Sequence, residues 1–203
     1  VKPNSNTALG ITYRHHIDLP IDSGRASFSV PSSLQDQYPA QAFHTLVPLP
    51  KELNIGFSYQ PQEQLLLSFE VQWVGWSRFD SLVYAFPEVV RNLPLYPERA
   101  YRNTFTFRVG GEYRSSERVQ IRAGAYYDSS PIPRLRLSPE LPDATAIGLS
   151  TGLGIRLIGG LSLDASLVYE YTGDRTDSFS AAAFSGVYRS TQLSFGLGLG
   201  YQF

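Results

Sequence analysis

The amino-acid sequence predicts an all-β protein, an antiparallel up-and-down transmembrane β-barrel. The first observation is the final eleven residues, in which every odd position from Leu193 to Phe203 is apolar or aromatic and every even position is Gly, Ser or Gln. A strict period of two indicates a strand with one apolar face and one small, polar face. The second observation is that this alternation recurs upstream. The third is that short turns and long loops alternate between the predicted strands, as in outer-membrane barrels.

About eight segments are predicted as strands on this basis, because β-strands place successive side chains on opposite faces. The first two, at 7–14 and 53–59, follow the alternation only loosely. The other six lie at 65–73, 105–113, 119–127, 147–157, 161–171 and 193–203. Their apolar positions are Leu65, Leu67, Phe69, Val71 and Trp73; Phe105, Phe107, Val109 and Tyr113; Val119, Ile121, Ala123, Ala125 and Tyr127; Ile147, Leu149, Leu153, Ile155 and Leu157; Leu161, Leu163, Ala165, Leu167, Tyr169 and Tyr171; and the odd positions of the last strand.

The connections fall into two kinds. Short polar turns are predicted at 60–63, 115–117 and 158–160, and long Pro-rich or polar loops at about 31–49, 82–99, 129–143 and 173–186. The aromatic residues of the apolar face separate accordingly, with Tyr59, Tyr113, Tyr201 and Phe203 near the short turns and Trp73, Tyr127, Tyr169 and Tyr171 near the long loops. Two aromatic belts are typical of a membrane-spanning protein. A soluble β-sandwich gives no reason for this separation.

Composition excludes several classes of protein. No run of residues approaches the roughly 20 apolar residues of a membrane helix. The 17 basic and 18 acidic residues are nearly balanced, so nucleic acid is not an expected partner. Cysteine is absent, which excludes disulfides and thiolate metal sites. The three histidines, His15, His16 and His44, have no metal-ligand spacing, and there is no Gly-x-Ser-x-Gly elbow. We therefore expect no enzyme activity, no cofactor and no metal.

The polar face carries charged side chains of both signs. One reading is that neighbouring arginines and carboxylates satisfy one another inside the barrel; the other is that one or two arginines hold an anionic ligand head group, for which a guanidinium is suited. Charge alone does not choose between the readings. The charged positions are Arg14, Glu70, Arg108, Glu112, Arg122, Asp128, Arg156, Asp164 and Glu170.

The first two long loops are unusually rich in apolar residues. Exposed loops rarely carry so many, so they either pack on one another or form an apolar groove for a ligand. The groove candidates are Phe43, Leu46, Val47, Phe86, Val90 and Leu93.

Several segments together resemble the FadL/TodX outer-membrane transporters of long-chain fatty acids and other hydrophobic compounds. They run in order through nearly the whole chain, and the most specific is Asp-x-Ser-Pro-x-Pro followed by Leu-Pro-Asp. The segments are residues 49–57, 73–79, 122–133, 141–143 and 198–203.

The resemblance implies a barrel of fourteen strands, of which residues 1–203 would form the C-terminal portion of a single domain without the N-terminal hatch. It implies a location in the Gram-negative outer membrane and passive transport without chemistry, with lateral release into the membrane. It also implies that the loop at 31–49 contributes to a ligand groove and that basic side chains hold a carboxylate. The head-group candidates are Arg99, Arg102, Arg108 and Arg122.

The terminal strand resembles the signal that the barrel-assembly machinery reads. Its signal residues are Phe195, Leu197, Leu199, Tyr201 and Phe203. The expected partners are therefore that machinery, a hydrophobic small molecule, and outer-membrane lipid with lipopolysaccharide, around a monomer. Two alternatives stay open at this point: a complete small eight-stranded barrel with a structural or adhesion role, and a barrel enzyme that acts on lipids.

Overall fold

The fold is described from a computed structural model of the chain. The structure describes residues 1–38, 40–79, 84–87, 99–138, 142–179 and 184–202. Within these ranges there are eleven strands and three short 3₁₀ helices at Ser32–Gln37, Trp76–Arg78 and Ile158–Gly160. None of the helices in these ranges has the length and apolar character needed to cross a bilayer. The strands are β1 (Thr7–Arg14), β2 (Ile17–Ala26), β3 (Gln41–Leu49), β4 (Glu52–Gln62), β5 (Leu65–Val74), β6 (Tyr84–Ala85), β7 (Thr104–Arg114), β8 (Val119–Asp128), β9 (Ala146–Arg156), β10 (Leu161–Phe179) and β11 (Phe184–Tyr201).

Eight of these strands form one antiparallel sheet in the order β1-β4-β5-β7-β8-β9-β10-β11. They are the eight strands that the alternation predicts, and the all-β, up-and-down fold class is confirmed. Strands β1 and β11 are the two edges of this sheet, and they do not pair with each other in the described part of the chain. The sheet is nevertheless curved, because Gly10 of β1 and Gly198 of β11 line the same trough of about 1040 Å³.

The strand register collects the apolar positions on one face. Leu163 lies opposite Ile155 on one side and Leu199 on the other. Phe57 lies opposite Leu9 and Phe69 in the same way. Directly opposed residues share a face, so the odd-numbered positions form a continuous outer surface. These side chains are exposed, up to 85% for Leu197. An apolar surface of this extent is typical of a protein that faces lipid.

The register brings aromatic residues together across strands at the long-loop level predicted from the sequence. At the long-loop end, Trp73 lies opposite Phe105, and Phe107 lies opposite Tyr127. At the short-turn end, Tyr113 lies between Leu65 and Ile121. These two levels are therefore the limits of the apolar outer face. Strand segments beyond the long-loop belt lie outside the bilayer.

Two predicted loops are wrong in part. Residues 41–49 form β3, which pairs with the unpredicted strand β2, and β3 also pairs with the short strand β6. Prolines at 20 and 48 hide this hairpin in the sequence, although Ile17, Leu19 and Ile21 alternate with Asp18, Pro20 and Asp22. The predicted loop at 173–186 is largely replaced by extensions of β10 and β11, which pair from Arg175↔Tyr188 to Phe179↔Phe184. Residues 173–178 of the β10 extension are Gly, Asp, Arg, Thr, Asp and Ser, so no apolar series marks it as a strand.

The β2–β3 hairpin continues the β1–β4 pair. Arg14 lies opposite Glu52, and the pairing resumes at Ile17 opposite Leu49 without a change of register. One β-ribbon therefore rises from the membrane-spanning sheet to a three-stranded sheet, β2-β3-β6, at the long-loop end. The Arg78 guanidinium fixes it to the Trp76–Arg78 helix by donating to both oxygens of Asp18, over 3.2 and 2.5 Å.

Candidate functional site

The three-stranded sheet presents one face that is almost wholly apolar, which we call the hairpin face. It consists of residues that lie opposite one another on this side of the β2–β3 and β3–β6 pairings. None of these residues in the described strands carries a charge. Ile17, Leu19 and Ile21 are 42–48% exposed, although each is a large aliphatic side chain. The other members are Phe43, Thr45, Val47, Leu49 and Tyr84.

An aromatic cluster lies at the upper end of the hairpin face. The Phe43 ring is at its centre, with its centroid 5.4 Å from that of Tyr84 and 5.8 Å from that of Phe86. Phe28 extends the cluster, 6.3 Å from Phe86 and 5.6 Å from Tyr38. The tilted and edge-on ring arrangements are those that aromatic side chains prefer. The cluster therefore offers a preformed surface for an apolar or aromatic molecule.

The structure separates the predicted groove residues. Phe43, Val47 and Phe86 come together at the hairpin face, whereas Leu46 lies opposite Pro20 on the other face of β3. The sequence placed Phe43, Leu46 and Val47 together in the first long loop, but residues 41–49 are a strand, so adjacent positions point to opposite sides. Val90 and Leu93 lie outside the described residues.

A polar ladder covers the inner face of the large sheet. Arg122 is at its centre: its Nε donates to Glu112 (2.8 Å), its Nη1 to Asp164 (2.6 Å) and its Nη2 to Gln120 (2.9 Å). Arg108 repeats the pattern nearer the long-loop end, donating to Glu70 over 2.7 Å and to Gln72 over 2.9 Å. Each of these guanidiniums is thus engaged by oxygens of neighbouring strands.

Glycines on β9 allow this ladder to form. Tyr126 of β8 and Glu170 of β10 lie on either side of Gly148, and the Tyr126 hydroxyl donates across it to the Glu170 carboxylate. A Cβ at Gly148 would lie 2.0 Å from the Tyr126 ring. At Gly154, a Cβ would lie 2.8 Å from the Asp164 carboxylate that Arg122 contacts. The long side chains therefore lie flat along the wall rather than projecting into the trough.

The four predicted head-group arginines have different surroundings. Arg108 and Arg122 belong to the ladder, which favours the reading that their charges are satisfied within the protein. Arg99 is buried, with 5% of its surface exposed, next to the long-loop end of β7. Arg102 is exposed, and its backbone N–H donates to the Pro131 carbonyl over 2.8 Å. The described residues do not bring these four guanidiniums together at one site.

The predicted assembly residues lie on the outer face of edge strand β11. Phe195, Leu197, Leu199 and Tyr201 are 66–85% exposed and alternate with small residues. Phe203 lies outside the described residues. Their role in assembly stays a prediction.

Sequence reasoning missed a second feature of the long-loop end, a small buried core. Tyr101, Ile132 and Leu137 are its buried residues, and Trp76, Phe79 and Tyr188 pack against them. Ile132 belongs to the Asp-x-Ser-Pro-x-Pro motif, and Trp76 and Phe79 belong to the segment at 73–79. The sequence showed these motifs, but only the fold shows that they meet.

The comparisons with known proteins agree with this architecture. A model of the outer membrane transport protein family OMPP1/FadL/TodX matches residues 1–203. The long-chain fatty acid transport protein of Escherichia coli O6:H1 is 26% identical over 158 residues, which cover 76% of this chain and 35% of that protein. Outer membrane protein P1 of Haemophilus influenzae is 24% identical over 213 residues, covering 98% of this chain and 45% of that protein.

Solved structures show the same fold. A Pseudomonas aeruginosa FadL homologue superposes with a TM-score of 0.84 at 21% identity, covering 98% of this chain and 50% of that one. The chain thus spans half the length, or less, of the proteins it matches. The family model and the relatives place it in the outer membrane of Gram-negative bacteria. Since that model covers the entire sequence, the chain belongs to the OMPP1/FadL/TodX family of outer-membrane transport proteins.

Proposed function

We propose that the complete protein carries hydrophobic small molecules across the outer membrane without chemically changing them. The observation that carries this proposal is the hairpin face, an exposed, uncharged surface with an aromatic cluster at the end of the barrel that faces the medium. A relative is named a long-chain fatty acid transport protein, and a structural neighbour is a Pseudomonas putida toluene transporter. Both names describe cargo that such a surface would bind.

Capture would be driven by apolar burial, worth roughly 25 cal/mol per Å² of surface removed from water. The molecule would then move passively towards the environment that binds it best. We place release laterally, because a hydrophobic molecule gains more apolar contact from lipid than from a wall that carries arginines and carboxylates. The open edges of β1 and β11 are where we place the strands that complete the single barrel domain.

Ligands with and without a carboxylate place different demands on this half of the barrel. The ladder engages Arg108 and Arg122, so a carboxylate would compete with Glu70 or Asp164 for them. Arg102, whose side chain is exposed, is a better head-group candidate than either ladder arginine. A neutral arene or alkane needs no such partner. Both classes of ligand therefore belong in any uptake assay.

The test exploits two neighbouring positions on β3. Phe43→Asp in the complete protein places a charge in the aromatic cluster, so we expect it to reduce uptake of both a long-chain fatty acid and toluene. Leu46→Asp places the same charge on the opposite face, where 46% of the Leu46 surface is already exposed. We expect it to retain near-normal uptake. Radiolabelled uptake by whole cells at matched surface levels measures the difference.

Equal uptake by Phe43→Asp and the unsubstituted protein would remove the hairpin face from the transport route. Equal loss in both variants would indicate damage to the hairpin instead of loss of a binding surface. A separate fluorescence titration with a hydrophobic dye on purified protein identifies the binding step.

We further propose that the terminal strand directs assembly of a monomer by the barrel-assembly machinery. Deletion of Phe203 from the complete protein is expected to cause accumulation in the periplasm or degradation, because it removes the last apolar residue of the alternating series. Surface labelling and fractionation of cells provide the measurement, and substitution of the neighbouring Gln202 by Ser serves as the control. Normal surface levels after the deletion would refute this role.

A further inference from the structure

The Arg175 guanidinium bonds to five other residues at the long-loop end. Arg175 lies on the extension of β10, opposite Tyr188 of β11 and beyond the long-loop belt. Its guanidinium reaches back to the β8–β9 connection. The acceptors are the Ser130 hydroxyl (3.1 Å), the carbonyl oxygens of Asp143 (3.1 Å), Ile132 (2.8 Å) and Pro133 (3.0 Å), and the Asp177 carboxylate (2.8 Å).

The Arg175–Asp177 pair is mostly withdrawn from water, with side chains 17% and 6% exposed. Burial alone would raise the pKa of Asp177. The backbone N–H of Leu135, the Arg175 guanidinium and the N–H of Ser178 outweigh that effect and hold its pKa below the usual value. A carboxyl group whose pKa is lower in the folded protein than in the unfolded chain stabilises the fold at any pH above its pKa in the unfolded chain. That stabilisation is lost only as the pH falls through its pKa in the folded protein. The pair is therefore charged and intact at neutral pH.

The pair holds a defined segment, residues 129–138, which we call the seal segment. Leu137 and Ser138 within it are 0% and 1% exposed. The Ser130 hydroxyl also donates to Asp143 over 2.5 Å, which joins the two ends of the β8–β9 connection. Leu135 has a φ of 66°, unusual for a residue with a side chain, and its N–H donates to Asp177 over 2.8 Å. A conformation of this kind persists only where its surroundings impose it.

The wall of the trough changes character at this end. Lower down, Arg108 on the inner face has 43% of its side chain exposed. At the long-loop ends of β7 and β9, the inner-face residues Thr104, Thr106 and Ala146 are only 4–7% exposed. The seal segment starts directly above them, since Ser129 exchanges hydrogen bonds with the Phe105 backbone over 2.9 Å. These three side chains are thus shielded from water by the protein around them.

We propose that Arg175 is a positioning residue that holds the seal segment across the extracellular end of the trough and thereby excludes ions and hydrophilic solutes. It acts on permeability through the β8–β9 connection, without contact with the hairpin face, and so does not depend on the proposed hydrophobic cargo. A guanidinium suits the role because its fixed fork of donors bonds several acceptors at once, which an ammonium group does not reproduce.

The test is the ion conductance of the complete protein in planar bilayers. Arg175→Met keeps the length and apolar stem of the side chain but removes every donor, so we expect a several-fold rise in conductance or in open events. Arg175→Lys should give an intermediate rise. Arg189→Met is the matched control: Arg189 pairs with Asp174 on the same β10–β11 hairpin, but its side chain is 64% exposed. The control should stay as closed as the unsubstituted protein.

A second measurement covers the case in which Arg175→Met does not insert. Ser130→Ala removes one acceptor and the bond to Asp143, and it should raise conductance more modestly in a folded barrel. Residues 1–203 contain no cysteine, so Leu137→Cys introduces one thiol into this part of the protein, at a fully buried position. A membrane-impermeant maleimide should label it slowly alone and quickly when combined with Arg175→Lys or Ser130→Ala. Unchanged conductance and labelling in every variant that folds would overturn the proposal.

Discussion

Arginine at Leu197 is expected to destabilise the folded protein in a bilayer by about 2–4 kcal/mol, the range for a charge near the midplane of the lipid face of a barrel. Leu197 lies opposite Ala165 on the apolar outer face, midway along β10 between Leu161, which is opposite Tyr201, and Tyr169. Its neighbour Gly198 lies opposite Asp164 on the inner face. A Cβ there would make only an ordinary contact with the Asp164 side chain, at 3.6 Å.

Gly198→Arg is therefore the matched control, since it adds the same charge one position along the same strand. We expect it to cost clearly less than Leu197→Arg, because its guanidinium enters the polar trough beside a carboxylate. Urea titration of the complete protein refolded in liposomes gives both free energies of unfolding. Equal costs at the two positions would contradict the assignment of lipid and inner faces.

Alanine at Gly148 is expected to destabilise the protein by about 1–3 kcal/mol, the usual cost of forcing a methyl group into a filled space. The new Cβ would lie within 2.0 Å of the Tyr126 ring. The ring must then move, which breaks the hydrogen bond from Tyr126 to Glu170 across β9. The same liposome titration measures the loss, and tyrosine fluorescence reports the displacement of the ring.

The control is Gly56→Ala, on the same row of the inner face. The row runs across neighbouring strands from Gly56 through Glu70, Arg108 and Tyr126 to Gly148, and each residue lies directly opposite the next. A Cβ at Gly56 would meet no atom within 4 Å. A Gly→Ala replacement that causes no clash stabilises the folded protein by about 0.4–1 kcal/mol, because it reduces the conformational entropy of the unfolded chain. Equal stability of the two alanine variants would contradict the claim that the polar ladder crosses β9 at Gly148.

The eight membrane-spanning strands and their two faces could be predicted from the amino-acid sequence. The reason is that lipid accepts only apolar side chains and the inner face accepts polar ones, so each strand must alternate, and alternation is readable from local sequence. The aromatic belts follow from the same constraint. Leu163 and Tyr127 could be assigned to the outer face without a structure.

The tertiary structure alone decided what lies above the membrane. There the β10 extension carries no apolar series, and prolines in β2 and β3 obscure the alternation that Ile17, Leu19 and Ile21 show. Register then separated Phe43 from Leu46, and the ladder engaged Arg108 and Arg122 with partners from other strands. Arg175 shows the limit most clearly. It is one polar residue in a polar stretch, and four of its acceptors are 32 to 45 positions away along the chain. Contacts between such distant residues depend on how strands pair, which local sequence does not encode.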